Sequence, residues 1–165
     1  MQLKPFLPEK DFEIIKDWLP DERSHALWCA NLIAYPLNKA NFVKVMGSNA
    51  ERYGDRPFAA IDNDGTVVGF FCFSVNQDTN EGKLKYVVVD PNRRGKGIGK
   101  EMLKLAVRYA FEKTPVDSVF LNVFSDNKKA IKCYQSVGFV FLETDPDVFV
   151  YKDESWDRLS MVIRK

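Results

Sequence analysis

A basic, glycine-rich segment follows a run of valines and precedes an amphipathic stretch. The segment contains the pattern R-x-x-G-x-G, whose specified residues are Arg94, Gly97 and Gly99. Lys96 and Lys100 add positive charge. Backbone N–H groups at the start of a helix lack internal partners, and the helix dipole favours negative charge there. Glycine leaves those groups open because it has no side chain to obstruct a ligand. The segment therefore predicts an anion site, and a pyrophosphate fits it better than a single carboxylate.

Two familiar nucleotide-binding motifs are absent from this segment. A Walker loop, G-x-x-x-x-G-K-[ST], requires a glycine and a hydroxyl residue where Arg94 and Glu101 stand. A dinucleotide fingerprint, G-x-G-x-x-G, that begins at Gly95 fails at Lys100, and one that begins two residues later fails as well. The segment therefore binds a different phosphate ligand, or it is only a tight connection between a strand and a helix.

The elements before this segment change from helical to extended. Helical spacing of apolar residues dominates the first part of the chain, and runs rich in Val and Phe separated by turn residues dominate the next. The predicted elements are a strand at 2–7, helices at 8–20, 21–35 and 39–46, a loop at 47–57, strands at 58–61, 66–75 and 83–89, and turns at 62–65 and 76–82.

The elements after the glycines begin with the clearest helix of the chain. Its apolar residues recur at i, i+3, i+4, i+7 and i+8 and form one face, and Pro115 marks its end. Asp126 or Asn127 can cap a second helix, and Gly138 suits its C-terminal turn. Strands are predicted at 118–123, 139–142, 148–151 and 159–163. With no repeat or linker, the pattern predicts one mixed α/β domain over residues 1–165.

Two segments together resemble the GNAT family of N-acetyltransferases. The first, VVVDPNRRGKGIGKEML, matches the family signature [QR]-x-x-G-x-[GA] after a strand. The second matches N-x-x-A-x-x-x-Y-x-x-x-G-F, and its residues are Asn127, Ala130, Tyr134, Gly138 and Phe139. The two motifs occur in the family's order and cover about residues 83–142. The resemblance implies a mixed, mostly antiparallel central sheet flanked by helices, and an acetyl-CoA-dependent N-acetyltransferase.

The resemblance also implies how acetyl-CoA binds, without a metal. Its pyrophosphate is expected on the N–H groups of the glycine segment, and its pantetheine arm beside the end of the valine strand. That strand is expected to splay from the next one, so that its free backbone groups pair with the arm. The expected acetyl-CoA-binding residues are Val87, Val88, Val89, Arg94, Gly95, Lys96, Gly97, Ile98, Gly99, Lys100, Asn127 and Ala130.

Acyl transfer from a thioester to an amine needs a neutral amine, a stabilised oxyanion and a proton for the leaving thiolate. The resemblance implies that Tyr134 lies near the sulfur as the catalytic residue, where a phenol with a pKa of about 10 can donate a proton. Helical spacing beside Ile131 by itself predicts a core aromatic instead. A backbone N–H of the valine strand is the expected donor to the oxyanion.

No general base is identified from the sequence. Some family members carry a Glu on the strand before the glycine segment, at a position that corresponds here to about Lys85. Glu81, in a predicted turn, and Glu143 and Asp145 are predicted to be solvated surface carboxylates. Water held by backbone carbonyls is the remaining route for deprotonation. His25, the only histidine, is predicted to have a surface or packing role.

Composition limits the remaining functional classes. With 24 Lys+Arg against 23 Asp+Glu, nothing predicts attraction to nucleic acid or membranes. Three widely spaced cysteines predict neither a disulfide framework nor a metal site. No apolar run is long enough for a membrane span, and the N-terminus does not resemble a signal peptide. We therefore expect a cytoplasmic protein.

The acceptor and the assembly stay open at this level. A small-molecule amine, an antibiotic amine, a protein α-amine and a lysine are all compatible with the sequence, and no feature decides whether the chain forms a homodimer. The alternative function is a noncatalytic module that binds acetyl-CoA as a sensor or scaffold.

Overall fold

The computed structural model describes all 165 residues and contains seven strands. They are β1 (Gln2–Pro5), β2 (Arg56–Ile61), β3 (Val67–Asn76), β4 (Glu81–Val89), β5 (Ser118–Phe124), β6 (Val140–Tyr151) and β7 (Glu154–Arg164). They form one sheet in the order β1-β2-β3-β4-β5-β7-β6. Only the β4–β5 pairing is parallel. The predicted mixed, mostly antiparallel sheet is therefore confirmed.

Five helices accompany the sheet: α1 (Pro8–Ile15), α2 (Glu22–Cys29), α3 (Lys39–Tyr53), α4 (Ile98–Lys113) and α5 (Lys128–Val137). Three of them begin at a side-chain cap. The carboxylate of Asp21 accepts from Ser24 N at 2.7 Å, and the amide oxygens of Asn38 and Asn127 do the same for α3 and α5. None of the helices is both long and apolar enough to cross a bilayer.

The helices cover both faces of the sheet. Side chains alternate along β3, so Phe70 and Cys72 pack in the same cluster as residues of α1, α2 and α3. Phe71 and Phe73 point the other way and pack with Met102 of α4. A strand that is apolar on both faces is buried between two layers of helix, as the continuous run of Val and Phe in β3 requires.

The N-terminal helices differ in extent from their predictions. The predicted loop at 47–57 is wrong over most of its length, because α3 continues through Gly47 to Tyr53 and β2 begins at Arg56. Glycine disfavours a helix but does not end one whose other residues pack. Conversely, α2 stops at Cys29 rather than residue 35, because Ala30 and Asn31 adopt left-handed φ angles of 51° and 56°.

The C-terminal strands are longer than predicted. The expected strands at 139–142 and 148–151 form one strand, β6, with register shifts between Phe141 and Glu143 and between Asp145 and Phe149. Pro146 fits within it because β6 lies at the edge of the sheet, where a missing N–H donor is tolerated. Glu81 opens β4 and is not in a turn as predicted.

A gap opens between the two central strands. β4 and β5 pair over only four positions, from Glu81↔Ser118 to Leu84↔Leu121. Beyond them, 85–89 and 122–124 have no pairing with each other, and we call this opening the strand gap. On its other side β4 has a bulge against β3, where Tyr86 adopts a φ of 53°. The predicted splay of the valine strand is confirmed.

Candidate active site

A cleft of about 650 Å³ occupies the strand gap. Its walls come from β4, β5, α5, the start of α4 and the N-terminal helices. Every predicted site residue except Lys96 lines this cleft; those that do are Val87, Val88, Val89, Arg94, Gly95, Gly97, Ile98, Gly99, Lys100, Asn127, Ala130 and Tyr134. Lys96 is exposed outside it. Residues from three separate parts of the chain are thus brought to one surface.

The glycine segment presents unused hydrogen-bond donors to the cleft. The six consecutive N–H groups from Gly95 to Lys100 make no hydrogen bond to any protein acceptor. Helix α4 has Gly97 as its N-cap, with no side-chain cap, and its first internal bond runs from Glu101 N to Gly97 O at 3.0 Å. These donors and the positive end of the helix dipole together form a site for an anion.

Glycine is required in this segment for its backbone conformation. Gly95 and Gly97 have φ angles of +76° and +82°, in the left-handed region that disfavours other residues. A Cβ at either position would meet no atom within 4 Å. The space beside both residues is therefore open, which is what a bound phosphate needs.

Gly99 has a different role from the other two glycines of the segment. A Cβ there would lie 3.3 Å from the Cys133 Sγ of α5 and 3.6 Å from Val89 Cγ2. Gly99 thus lets α4 approach both α5 and the end of β4. The third glycine of the segment fixes the position of the cleft walls.

The end of β4 supplies further donors to the strand gap. Asp90 N donates to Val68 O of β3 at 3.1 Å. Because backbone groups of a strand alternate in direction, the N–H groups of Val89 and Val87 point away from β3 and toward the gap. Tyr86 is held beside them through its Oη, which accepts from Asn49 Nδ2 at 3.1 Å. The bulge thus directs free backbone donors of β4 at the cleft.

Tyr134 lies in α5 with its ring buried and its edge toward Phe139. Tyr134 belongs to the core cluster, as its helical spacing predicts, and it also lines the cleft; its catalytic role stays a prediction. Its hydroxyl makes no hydrogen bond within the protein. Burial, with a smaller contribution from Cys133, raises the pKa of the Tyr134 phenol above its ordinary value. The phenol is therefore protonated at neutral pH and has a free donor.

Asn127 joins α5 to the same cleft. Its Oδ1 caps the helix by accepting from Ala130 N at 3.3 Å, so its Nδ2 is left for another acceptor. Asn127 and Ala130 both line the cleft. The capping residue of α5 is therefore Asn127 rather than Asp126.

A second cavity of about 810 Å³ adjoins the strand gap, and we call it the outer cavity. Lys85 and Asn122 line both this cavity and the cleft. Lys85 alternates along β4 with Leu84, which packs in the cluster of α4, so the outer cavity lies on the opposite face of the sheet from α4. The cleft is lined by residues of α2 as well as of α4 and α5, so it passes through the gap from one face of the sheet to the other and meets the outer cavity on the face of α1–α3.

A buried ion pair stands at the junction of the two cavities. Lys85 Nζ lies 2.7 Å from the Oδ1 of Asp55, whose side chain is 2% exposed, and 4.6 Å from the centre of the Tyr53 ring. The other carboxylate oxygen, Asp55 Oδ2, is buried without a hydrogen-bond partner. Lys85 thus stands at the position where some family members carry a Glu. The carboxylate that pairs with Lys85 belongs to Asp55, directly before β2.

The other candidate bases are not placed at the cleft. Glu81, Glu143 and Asp145 line the outer cavity instead, and Asp145 pairs with Arg158 at 2.7 Å. His25 is fully buried in α2, 3.6 Å from Cys29 Sγ, and burial lowers its pKa. The predicted packing role of His25 is confirmed. No three His, Cys, Asp or Glu side chains are grouped as metal ligands.

Several cleft residues were not found from the sequence. Leu27 and Trp28 of α2 line it, as does Cys133 of α5. Trp28 belongs to no motif, and nothing in a single sequence distinguishes an aromatic that faces a cleft from one in the core. Asp55 lies in the segment 47–57, which was predicted to be a loop. Nothing in the sequence therefore indicated that Asp55 pairs with Lys85.

Two proteins of similar sequence are acetyltransferases. A streptothricin acetyltransferase from Streptomyces lavendulae is 30% identical over 103 residues, which cover 62% of this chain and 54% of that protein. A spermine/spermidine N(1)-acetyltransferase from Bacillus subtilis is 32% identical over 84 residues, covering 47% of this chain and 55% of that protein. The chain spans about half the length of these two relatives.

Solved structures share the fold. The spermidine N-acetyltransferase from Vibrio cholerae, crystallised with CoA and spermine, matches with a TM-score of 0.82 at 18% identity. The match covers 99% of this chain and 94% of that one. At this identity the likeness concerns the arrangement of strands and helices.

Membership of a family follows from the sequence as a whole. The pattern of the Acetyltransferase (GNAT) family matches residues 9–139, which include the N-terminal helices, the glycine segment and all of α5. The strand gap and the free amides at α4 lie within that match. The chain therefore belongs to the GNAT acetyltransferase family.

Proposed function

We propose that this chain transfers an acetyl group from acetyl-CoA to a primary amine by direct attack in a ternary complex. Residues 1–165 would act as one domain with the coenzyme in the cleft and the amine entering from the outer cavity. Membership of the family supports this reaction class, and so do the names of two relatives, a streptothricin acetyltransferase and a spermine/spermidine N(1)-acetyltransferase.

The observation that carries the proposal is the row of free amides from Gly95 to Lys100. A diphosphate has enough oxygen acceptors to satisfy several of these donors at once, and the side chains of Arg94 and Lys100 at the cleft wall add positive charge. Arg93 does not contribute, because it forms ion pairs with Asp62 and Asp90. The residues present therefore fit the pyrophosphate of the coenzyme.

The strand gap fits the extended arm of the same molecule. The N–H groups of Val87 and Val89 face the gap and can pair with amide oxygens of the arm, as an added strand would. Asn127 Nδ2 supplies a donor from the opposite wall. Acetyl-CoA contributes the activated thioester, and a β4 amide aimed at its carbonyl oxygen stabilises the charge that develops there.

Tyr134 is assigned the delivery of a proton to the leaving sulfur. Its raised pKa makes the phenol a weaker acid than an ordinary thiol, whose pKa is about 8.5. Complete transfer to a free thiolate is therefore unfavourable, and the proton is shared as charge develops on the sulfur. The free hydroxyl at the cleft wall supports this donor role.

Removal of the amine's proton has no carboxylate assigned to it. Lys85 of β4 lines both cavities at their junction, and it is paired with Asp55 rather than free. Water in the outer cavity would carry the proton away.

A thermal-shift panel followed by a thiol-release assay tests the proposal. Acetyl-CoA and CoA should raise the midpoint of unfolding, whereas ATP and NAD should do so less or not at all. Release of CoA that depends on an added amine then distinguishes catalysis from binding. No stabilisation by acetyl-CoA at millimolar concentration would overturn the coenzyme assignment.

A noncatalytic acetyl-CoA sensor is the second candidate. The lysine at position 85 favours it, because the site then lacks a carboxylate beside the attacking amine. Stabilisation by acetyl-CoA without CoA release from any amine in the panel would support the sensor.

A further inference from the structure

The walls of the cleft carry positive charge that no carboxylate balances. No Asp or Glu lines the cleft, whereas five cations do: Lys85, Arg94, Lys100, Lys129 and Lys132. Lys85 is neutralised by Asp55 at 2.7 Å, and the other four form no ion pair within the protein. Since the whole chain has a net charge of only +1, this surface is far more positive than the chain as a whole. The four unpaired cations are therefore available to a bound anion.

The carboxylates nearest to these cations along the chain are engaged elsewhere. Glu101, which follows Lys100 in α4, lies 3.3 Å from the ammonium group of the N-terminus. Asp126, just before α5, pairs with Arg23 at 3.4 Å. Neither carboxylate lines the cleft, so neither compensates the charge of its lysines.

The start of α5 brings two of the lysines beside the row of free amides on α4. The two helices meet where a Cβ on Gly99 would lie 3.3 Å from Cys133 Sγ. Lys132 directly precedes Cys133, and Lys129 lies one helical turn before Cys133. Both lysines are exposed and line the cleft, whereas Lys128 is exposed and does not line it. The α5 wall thus carries two unpaired ammonium groups next to the proposed pyrophosphate site.

The unpaired cations exceed in number what a pyrophosphate needs. Each phosphate in a diester linkage carries about one negative charge, so Arg94 and Lys100, at the two ends of the amide row, balance a pyrophosphate. Lys129 and Lys132 are then left for a further anion. Coenzyme A has such a group, because the phosphate monoester on its ribose 3′ carbon carries about −1.5 to −2 charge at pH 7. The charges of the α5 wall and of this group therefore match.

We propose that Lys129 and Lys132 form a second phosphate subsite that binds the 3′-phosphate of the coenzyme, and that the protein thereby selects CoA over its 3′-dephosphorylated form. The inference rests on the proposed function and deepens it, because it states which form of the coenzyme the cleft selects and through which residues. An ammonium group suits this role, since it is a compact charge with three donors that reach phosphate oxygens from several directions. Both lysines are exposed to water, so each ion pair with the phosphate adds only modest affinity.

Calorimetric titration with CoA and with 3′-dephospho-CoA tests the subsite without any turnover. Wild type should bind CoA about 5- to 30-fold more tightly, as two exposed ion pairs predict. The double variant Lys129→Gln with Lys132→Gln should bind both ligands with the affinity that wild type has for dephospho-CoA. The matched control, Lys104→Gln with Lys128→Gln, removes two exposed helix lysines outside the cleft and should keep the wild-type ratio.

Equal affinities of wild type for the two ligands would overturn the subsite while leaving the coenzyme assignment intact. A preference for CoA that survives in the variant lacking Lys129 and Lys132 would overturn it as well. A preference that falls equally in the control variant would also reject the subsite, because it would depend on the overall charge of the protein. Absence of binding by CoA and dephospho-CoA alike would reject the proposed function together with this inference.

Discussion

The glycine segment allows a prediction in which strain and binding are linked. Gly97→Ala places a Cβ on a residue with a φ of +82°, where it meets no atom within 4 Å. Steric overlap with neighbours is thus absent, and the expected penalty is the left-handed conformation itself, about 1–2 kcal/mol. The penalty lowers either the free energy of unfolding or the affinity for acetyl-CoA, because the segment can either keep its conformation or relax.

A segment that keeps its conformation lowers the free energy of unfolding by the full penalty and leaves acetyl-CoA affinity unchanged. A segment that relaxes leaves stability unchanged but must regain the strained form to bind, which weakens affinity by about 5- to 30-fold. We therefore expect the loss in unfolding free energy and the loss in binding free energy to sum to about 1–2 kcal/mol.

Urea denaturation and calorimetric titration with acetyl-CoA measure the two losses. Gly47→Ala is the matched control, because Gly47 lies exposed within α3 with normal φ and open space around its Cα. It should gain about 0.5–1 kcal/mol of stability and bind acetyl-CoA as wild type does. If Gly97→Ala changed neither stability nor affinity, the segment would not hold the coenzyme in the conformation described.

Three further predictions concern the strand gap and its surroundings. Tyr134→Phe should lower turnover by about 100-fold with little change in acetyl-CoA affinity, measured by CoA release and titration; unchanged turnover would remove its role as proton donor. Lys85→Met should lower the free energy of unfolding, measured in urea, by about 3 kcal/mol. This is the low end for breaking a buried ion pair, because the Lys85 side chain is 21% exposed. Adding Asp55→Asn should restore much of the loss, and additive losses in the double variant would contradict the pairing. Lys83→Gln should stabilise the protein at pH 7, because the lowered pKa of Lys83 means that its charge is unfavourable in the folded state. The gain in unfolding free energy should shrink as the pH rises from the folded pKa toward 10.5, the pKa of an ordinary lysine. A gain that did not change with pH would reject this reasoning.

Local signals in the sequence were enough for the glycine segment and α5. R-x-x-G-x-G describes a backbone conformation, and the structure shows two left-handed glycines and six free amides there. Asn127 and Gly138 mark the ends of α5 by capping, which depends only on neighbouring residues. The splay was expected only through the resemblance, since a strand's sequence does not specify where its pairing stops.

Long-range features of the site had no local signal. Lys85 and Asp55 are thirty residues apart, and their contact depends on where β2 begins and on the bulge at Tyr86. Both of those depend on how β2, β3 and β4 align, which tertiary packing decides. The boundary of α3 was missed for the same reason, because packing of Phe42 and Met46 sustains a helix that Gly47 by itself disfavours.

The four-position pairing between β4 and β5 also governs how the molecule opens. Strands β1–β4 and β5–β7 form two sub-sheets that share few backbone hydrogen bonds. The amide hydrogens of 85–89 and 122–124 that face the gap should therefore exchange with solvent sooner than those of β3. A ligand arm bonded along the free end of β4 would protect those amides and raise the free energy for separating the sub-sheets. The coenzyme would then complete the fold as well as react in it.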